Sequence, residues 1–196
     1  MGRDQRNREK ILEAAACLFH KRGFQPTALD DVLERSGVCR SNFYYHFRSK
    51  EDLGLEVLAR QAERFEASMI RGILKDGKES PRRRIERLFD VLTDGLRAEA
   101  YRSGCPFGNL AAELSGSHPE FRDRLSAFFR RWEEAMEQCL REGMTQGEFR
   151  RDLDVRRLAT TLVSQIEGSV LLTKTHGDGE PIAAGVQVML KLLESR

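Results

Sequence analysis

Residues 23–53 read GFQPTALDDVLERSGVCRSNFYYHFRSKEDL, and the fold turns on this stretch. Leu29, Val32 and Leu33 fall at i, i+3 and i+4, an apolar stripe along one face of a helix. Thr27 precedes the stripe with Asp30 three residues on, which approximates a capping box with a shorter carboxylate. Ser36-Gly37 ends that helix, because glycine enters the left-handed conformation a helix end needs. Val38, Phe43 and Phe47 then anchor a second short helix, whose other faces carry Arg40, Ser41, Asn42, Tyr44, Tyr45 and His46. A short helix, a tight turn and a second exposed polar helix make a helix-turn-helix. Arg and Asn have donor geometry for base edges, while Tyr, His and Lys reach phosphates. The spacing therefore predicts a DNA-contact surface of Thr27, Arg40, Ser41, Asn42, Tyr44, Tyr45, His46 and Lys50. Arg40 and Asn42 are expected nearest the bases, Tyr44 and Tyr45 at the groove wall, and His46, Lys50 and Thr27 on phosphates. The competing reading is a structural helical hairpin with an incidental polar face.

Working outward, Ile11, Ala15, Leu18 and Phe19 give residues 8–21 a helical stripe that Gly23 ends, completing a three-helix head. Arg3, Arg6 and Arg8 precede it, either as an arm toward the minor groove or as a loose tail. A longer helix starts at Lys50 and runs into the low seventies through Leu58, Ala62, Phe65, Met69 and Ile73. Ser80-Pro81 caps the next, which carries Ile85, Leu88, Phe89, Leu92 and Leu96. After a break at residues 101–104, a short helix follows Cys105-Pro106, and Pro119 opens a regular one carrying Phe121 through Leu140. Asp154 to Thr175 is apolar and small on several faces, which implies burial on more than one side. Ile182, Val186, Met189, Leu190 and Leu193 stripe the last helix. No β-alternation interrupts this, so the fold class is all-α, with about nine helices. The division expected is a helix-turn-helix DNA-binding domain over residues 1–50 and a helical effector-binding and dimerisation domain over residues 51–196.

The run Gly37-Val38-Cys39-Arg40-Ser41-Asn42-Phe43-Tyr44-Tyr45-His46-Phe47, followed by Ser49-Lys50-Glu51-Asp52-Leu53, resembles the signature of the TetR family of bacterial transcriptional regulators. Ile11 to Ala15, Leu18-Phe19 and Arg22-Gly23-Phe24 are similar to that family's first helix. Cys39 departs from the pattern, since the family often has Ser or Thr there and Cys caps a helix poorly. The resemblance implies a homodimer formed by pairing the last two long helices into a four-helix bundle. Leu162, Ile166, Val170, Val186, Met189 and Leu193 are the dimer residues expected on that account. A two-fold pair of heads fits a palindromic duplex operator, with half-sites about 34–36 Å apart or a multiple of it. The resemblance further implies a repressor released by a small-molecule inducer.

Cys105 supplies a second candidate device. Pro106 disfavours the α region for the residue before it, so Cys105 is expected at the cap and Pro106 inside the helix. A thiol at a helix amino end sees positive partial charge, which favours the thiolate. The run Gly104 to Leu110 resembles a segment of TetR-like regulators in which a matching cysteine senses electrophiles, and the effector set expected is Cys105, Phe107, Asn109 and Trp132. The plainer readings are a small buried residue for Cys105 and ordinary core for Trp132 with Phe128, Phe129 and Met136.

Composition bounds the rest. Residues 1–50 hold ten Lys/Arg against six Asp/Glu, a charge of +4, while the remaining residues sum to −2. A basic end on a neutral body suits a phosphate-binding head. Cys17, Cys39, Cys105 and Cys139 are widely spaced with no CxxC pair, which argues against a disulfide framework or zinc site. The four histidines are scattered, with no HExxH, Walker loop or dinucleotide fingerprint. No apolar run approaches the roughly 18 residues of a membrane span. The expectation is a cytoplasmic, non-enzymatic regulator needing no cofactor, whose partners are duplex DNA, a second copy of itself and a small-molecule or electrophilic effector. The alternative is an all-α small-molecule-binding or thiol-modifying protein without specific DNA binding.

Overall fold

A computed structural model describes residues 3–194, and the side chain of Arg3 lies outside the described residues. Those residues form nine α-helices and one π-helical segment. In chain order they are α1 (Arg3–Arg22), α2 (Leu29–Ser36), α3 (Arg40–His46), α4 (Lys50–Phe65) and the π segment (Glu66–Leu74). Then come α5 (Pro81–Ala98), α6 (Pro106–Leu114), α7 (Pro119–Gln146), α8 (Val155–His176) and α9 (Glu180–Leu193). The only extended pairing among the described residues is a single bridge, Phe149 to Glu194. The class is all-α.

Local chemistry sets most helix ends. Gly37 closes α2 at φ 65°, its N–H donating to Leu33 and Glu34 carbonyls. The Ser80 hydroxyl accepts from the Arg83 N–H with Pro81 as the first residue of α5. The Asp154 carboxylate accepts from the N–H groups of both Arg156 and Arg157. One end differs from the sequence reading: Ala28 is the cap residue of α2, and the Asp31 carboxylate takes the Ala28 N–H at 2.8 Å. A second difference is the π segment. The apolar spacing through Ile73 reads as continuous α-helix, yet Lys75 donates to the Ile70 carbonyl five residues back. The buried Arg84 guanidinium holds the end of that segment, donating to the Leu74 carbonyl at 2.7 Å and pairing with Glu142.

The chain forms two compact units, Met1–Ala62 with Pro106–Arg124, and Glu63–Cys105 with Leu125–Arg196. In the first, α1 packs on α2, α3 and α6. Its core is Ile11, Ala15, Phe19, Phe24, Val32, Phe43, Phe47, Leu53, Leu58 and Phe121, all buried. Gly54 is required there: a Cβ would sit 2.6 Å from the Phe24 ring and 2.8 Å from that of Phe121. In the second unit α5 packs on the π segment and α9, and α8 on α9. Phe89, Phe128, Trp132, Met136, Leu162 and Ile166 fill its interior.

Candidate nucleic-acid interface

The site begins with two phenylalanines. Phe43 and Phe47 lie on the inner side of α3 and its end, fully buried, with ring centroids 5.6 Å apart. Burying each ring contributes about 1.5–3 kcal/mol, enough to hold seven residues of helix that would not persist alone. With that side inward, Arg40, Ser41, Tyr44 and Tyr45 are exposed, and Asn42 and His46 are half-buried. The Tyr44 ring meets Phe43 edge-on at 5.2 Å, and Tyr45 meets His46 likewise at 4.9 Å. Asn42 Oδ1 and His46 Nε2 are buried without a hydrogen-bond partner among the described residues. Asn42 also lines an open groove of about 830 Å³ with Asp4, Arg6, Asn7, Lys10, Gly37, Val38 and Cys39. Six of the eight sequence-derived contact residues thus share one short helix and the polar ground around it.

Thr27 and Lys50 are placed differently. Thr27 is fully buried, and its hydroxyl donates to the Gly23 carbonyl at 2.7 Å. The helix cap falls one residue later than the sequence suggests, which turns Thr27 inward. The Lys50 ammonium donates to the carbonyls of Phe24, Gln25 and Thr27 at 3.1, 3.4 and 3.0 Å and lies 4.5 Å from the Phe24 ring. An ammonium has three donors, and here three carbonyls take them. Glu113 on α6 completes the clamp: its carboxylate accepts the N–H groups of Phe24 and Gln25 at 3.2 and 2.9 Å. Gly23, at φ 95°, leaves room for that carboxylate, since a Cβ would lie 2.7 Å from Glu113 Oε1. The turn before the helix-turn-helix is therefore fastened on both its donor and its acceptor side. Helix α1 begins at Arg3, so Arg6 and Arg8 are helical; Arg8 pairs with Glu56 at 2.8 Å.

The effector residues are split. Cys105 and Trp132 belong to one compact unit, Phe107 and Asn109 to the other. Cys105 precedes Pro106 at the start of α6, as expected, and is half-buried. Its thiol hydrogen-bonds the carboxyl of Glu167 on α8; burial raises the Glu167 pKa and the Cys105 bond opposes that rise. Phe107 is buried and Asn109 half-buried. The Trp132 ring packs 4.8 Å from Phe65 and is almost fully buried, with Nε1 lacking a hydrogen-bond partner among the described residues. The Cys39 thiol, at the start of α3, has its pKa lowered, through the Ser41 hydroxyl first and then the Asn42 N–H. Cys139 is core, and burial pushes its thiol up to about 12.

The residues expected at a dimer seam divide by burial. Leu162, Ile166, Val170 and Leu193 are at most 5 % exposed, enclosed by their own chain, and Val186 and Met189 are half-buried. The large apolar side chains left in solvent on α8 and α9 are Leu171, Leu172, Val188 and Leu192, at 49–62 % exposure. Thr161, Ser164, Gly168, Leu171 and Thr175 share one exposed face of α8 at spacings of three and four. The hydroxyls of Thr161 and Thr175 bond back to carbonyls four residues earlier, which makes that face less polar than its composition.

A three-helix head that seats a polar, aromatic and basic helix on two buried phenylalanines defines a helix-turn-helix DNA-binding protein. Residues 11–57 match the model of bacterial regulatory proteins of the tetR family, and residues 81–189 match the tetracyclin repressor-like C-terminal domain. The chain belongs to the TetR family: it is a DNA-binding transcriptional regulator and not an enzyme. It is 30 % identical over 189 residues to the HTH-type transcriptional repressor DhaR of Mycobacterium sp. (strain GP1), covering 95 % of this chain and 91 % of that one. A TetR transcriptional regulator from Chloroflexus aurantiacus J-10-FL superposes with TM-score 0.83 at 29 % identity, over 97 % of this chain and 96 % of that one. The regulatory protein TetR from Rhodobacter sphaeroides superposes at 0.89 with 24 % identity, over 94 % and 97 %. No helix among the described residues is long and apolar enough to cross a membrane.

Proposed function

We propose that the protein is a homodimeric repressor that works in the cytoplasm, binds a palindromic operator through α3, and is released by a small-molecule inducer or by modification of Cys105. The observation that carries this reading is the exposed face of α3, with Arg40, Ser41, Tyr44 and Tyr45 outward and Phe43 and Phe47 locked inside. Arg40, Ser41, Asn42, Tyr44, Tyr45 and His46 are the DNA contacts proposed. Lys50 acts by holding the turn, and Thr27 is left out. One such helix reads few base pairs, so a second copy is needed. Leu171, Leu172, Val188 and Leu192 are the apolar residues a second copy would cover, with Val186 and Met189 at its margin. The resemblance to relatives such as the repressor DhaR supports repression.

An inducer shifts the equilibrium only by binding the non-operator state better than the operator-bound one. For Cys105 the differential event is covalent. Its thiol leaves the Glu167 carboxyl when it is alkylated. Phe107, Asn109 and Trp132 remain the proposed effector-side residues. The deciding experiment measures binding to the protein's own upstream DNA with and without N-ethylmaleimide or diamide, for the parent and Cys105→Ser. Loss on treatment in the parent alone establishes a cysteine switch. Binding indifferent to both reagents leaves a reversible ligand, and no sequence-specific binding to any promoter overturns the regulator's proposed mode.

A further inference from the structure

Arg40 opens α3, and its guanidinium reaches back across the turn to the Asp30 carboxylate on α2. The two side chains are 54 % and 74 % exposed, so the pair does little to hold the fold. Val32, Val38 and Phe43, on either side of the turn, are buried without it. Its consequence is for whatever covers this surface. A guanidinium is planar with five donors in a rigid fork, so a carboxylate on one terminal nitrogen fixes the plane and leaves donors to spare. Two parallel donors match O6 and N7 of guanine in the major groove. The same carboxylate cancels the positive charge that would otherwise attract any phosphate, whatever the sequence. An Asp oxygen also accepts from the N4 amino group of cytosine.

We infer that Asp30 is a specificity-determining residue, holding Arg40 so that the pair reads a G·C base pair in each half-site while suppressing non-specific attraction. The inference rests on the operator-binding reading and deepens it. Neighbouring charge does not duplicate the role: Asp31, one residue on, accepts the Ala28 N–H and lies 3.9 Å from Arg22.

The test is selection from a random duplex library by the parent, Asp30→Asn, Asp31→Asn and Arg40→Ala. Affinities for the selected and a scrambled duplex are then measured across a salt series. The parent should select guanine at two symmetry-related positions, and 7-deazaguanine there should weaken binding. Asp30→Asn should lose about tenfold of the guanine preference. It should also bind scrambled DNA more tightly, with the log K against log salt slope steeper by about 0.9 as Arg40 turns to a phosphate. Asp31→Asn removes a charge from the same turn and should raise scrambled binding without relaxing the guanine preference. Equal discrimination by Asp30→Asn and the parent overturns the inference. So does an equal loss on both duplexes with a lowered melting temperature, which marks Asp30 as a structural residue. If the parent itself selects no sequence, the operator-binding reading falls and this inference falls with it.

Discussion

Replacing Lys50 with Met keeps the aliphatic stem and removes the ammonium, which separates the phosphate contact expected from the sequence from the clamp seen in the structure. In the structure that ammonium meets three carbonyls of the 24–27 turn at 3.0–3.4 Å and lies over the Phe24 ring. Hydrogen bonds to a charged group contribute about 1.5–3 kcal/mol each when buried. The turn is only partly buried, however, and vacated carbonyls near Gln25 can take up water. A loss of about 2–4 kcal/mol is therefore expected, from roughly one fully counted bond plus a cation–π term of about 0.5–1 kcal/mol. For a chain of this size that lowers the melting temperature by roughly 4–16 °C. Circular dichroism melts, and salt-dependent operator binding by fluorescence anisotropy, read the two roles separately. Affinity should fall because the head is loosened, while the slope of log K against log salt stays as in the parent. A melting temperature within about 1 °C of the parent, with a slope shallower by about 0.9, would show the ammonium on a phosphate and refute the clamp.

Leu171→Glu with Leu192→Glu places charge on the exposed apolar face of α8 and α9. Light scattering should find monomers of normal helicity, and persisting dimers would move the interface elsewhere. Because burial raises the Glu167 pKa, the folded chain holds a proton that the unfolded chain releases near pH 4.3. The stability this confers is full below that pH and is lost as pH rises through the folded pKa. Urea denaturation of Glu167→Gln should lack that decline, and parallel curves for the two proteins would count against a buried carboxyl. Native-state iodoacetamide labelling read by mass spectrometry should modify exposed Cys39, whose pKa is lowered, well before Cys139, whose thiol is pushed up to about 12. Equal rates at the two sites would contradict their environments.

The features that the sequence determined by itself are those made within a few residues of chain. Gly37 must end α2 because it adopts a left-handed backbone, and Ser80-Pro81 must open α5. Phe43 and Phe47, four apart, must share a side of α3, which leaves Arg40, Ser41, Tyr44 and Tyr45 outside. The helix-turn-helix and the all-α class were legible for that reason. What only the tertiary structure decided are the choices among faces and partners far apart in the chain. Lys50 looks like a free cation until the 24–27 carbonyls converge on it, and Thr27 looks like a cap until the turn folds it inward. Glu113 lies 89 positions from the N–H it holds at Phe24. Leu162 and Leu171 are equally apolar, yet one is enclosed by its own chain and the other stands in solvent. Periodicity says that a helix has an apolar side; which apolar residues remain uncovered depends on how much surface its own neighbours bury, and that is settled only when the whole chain has packed.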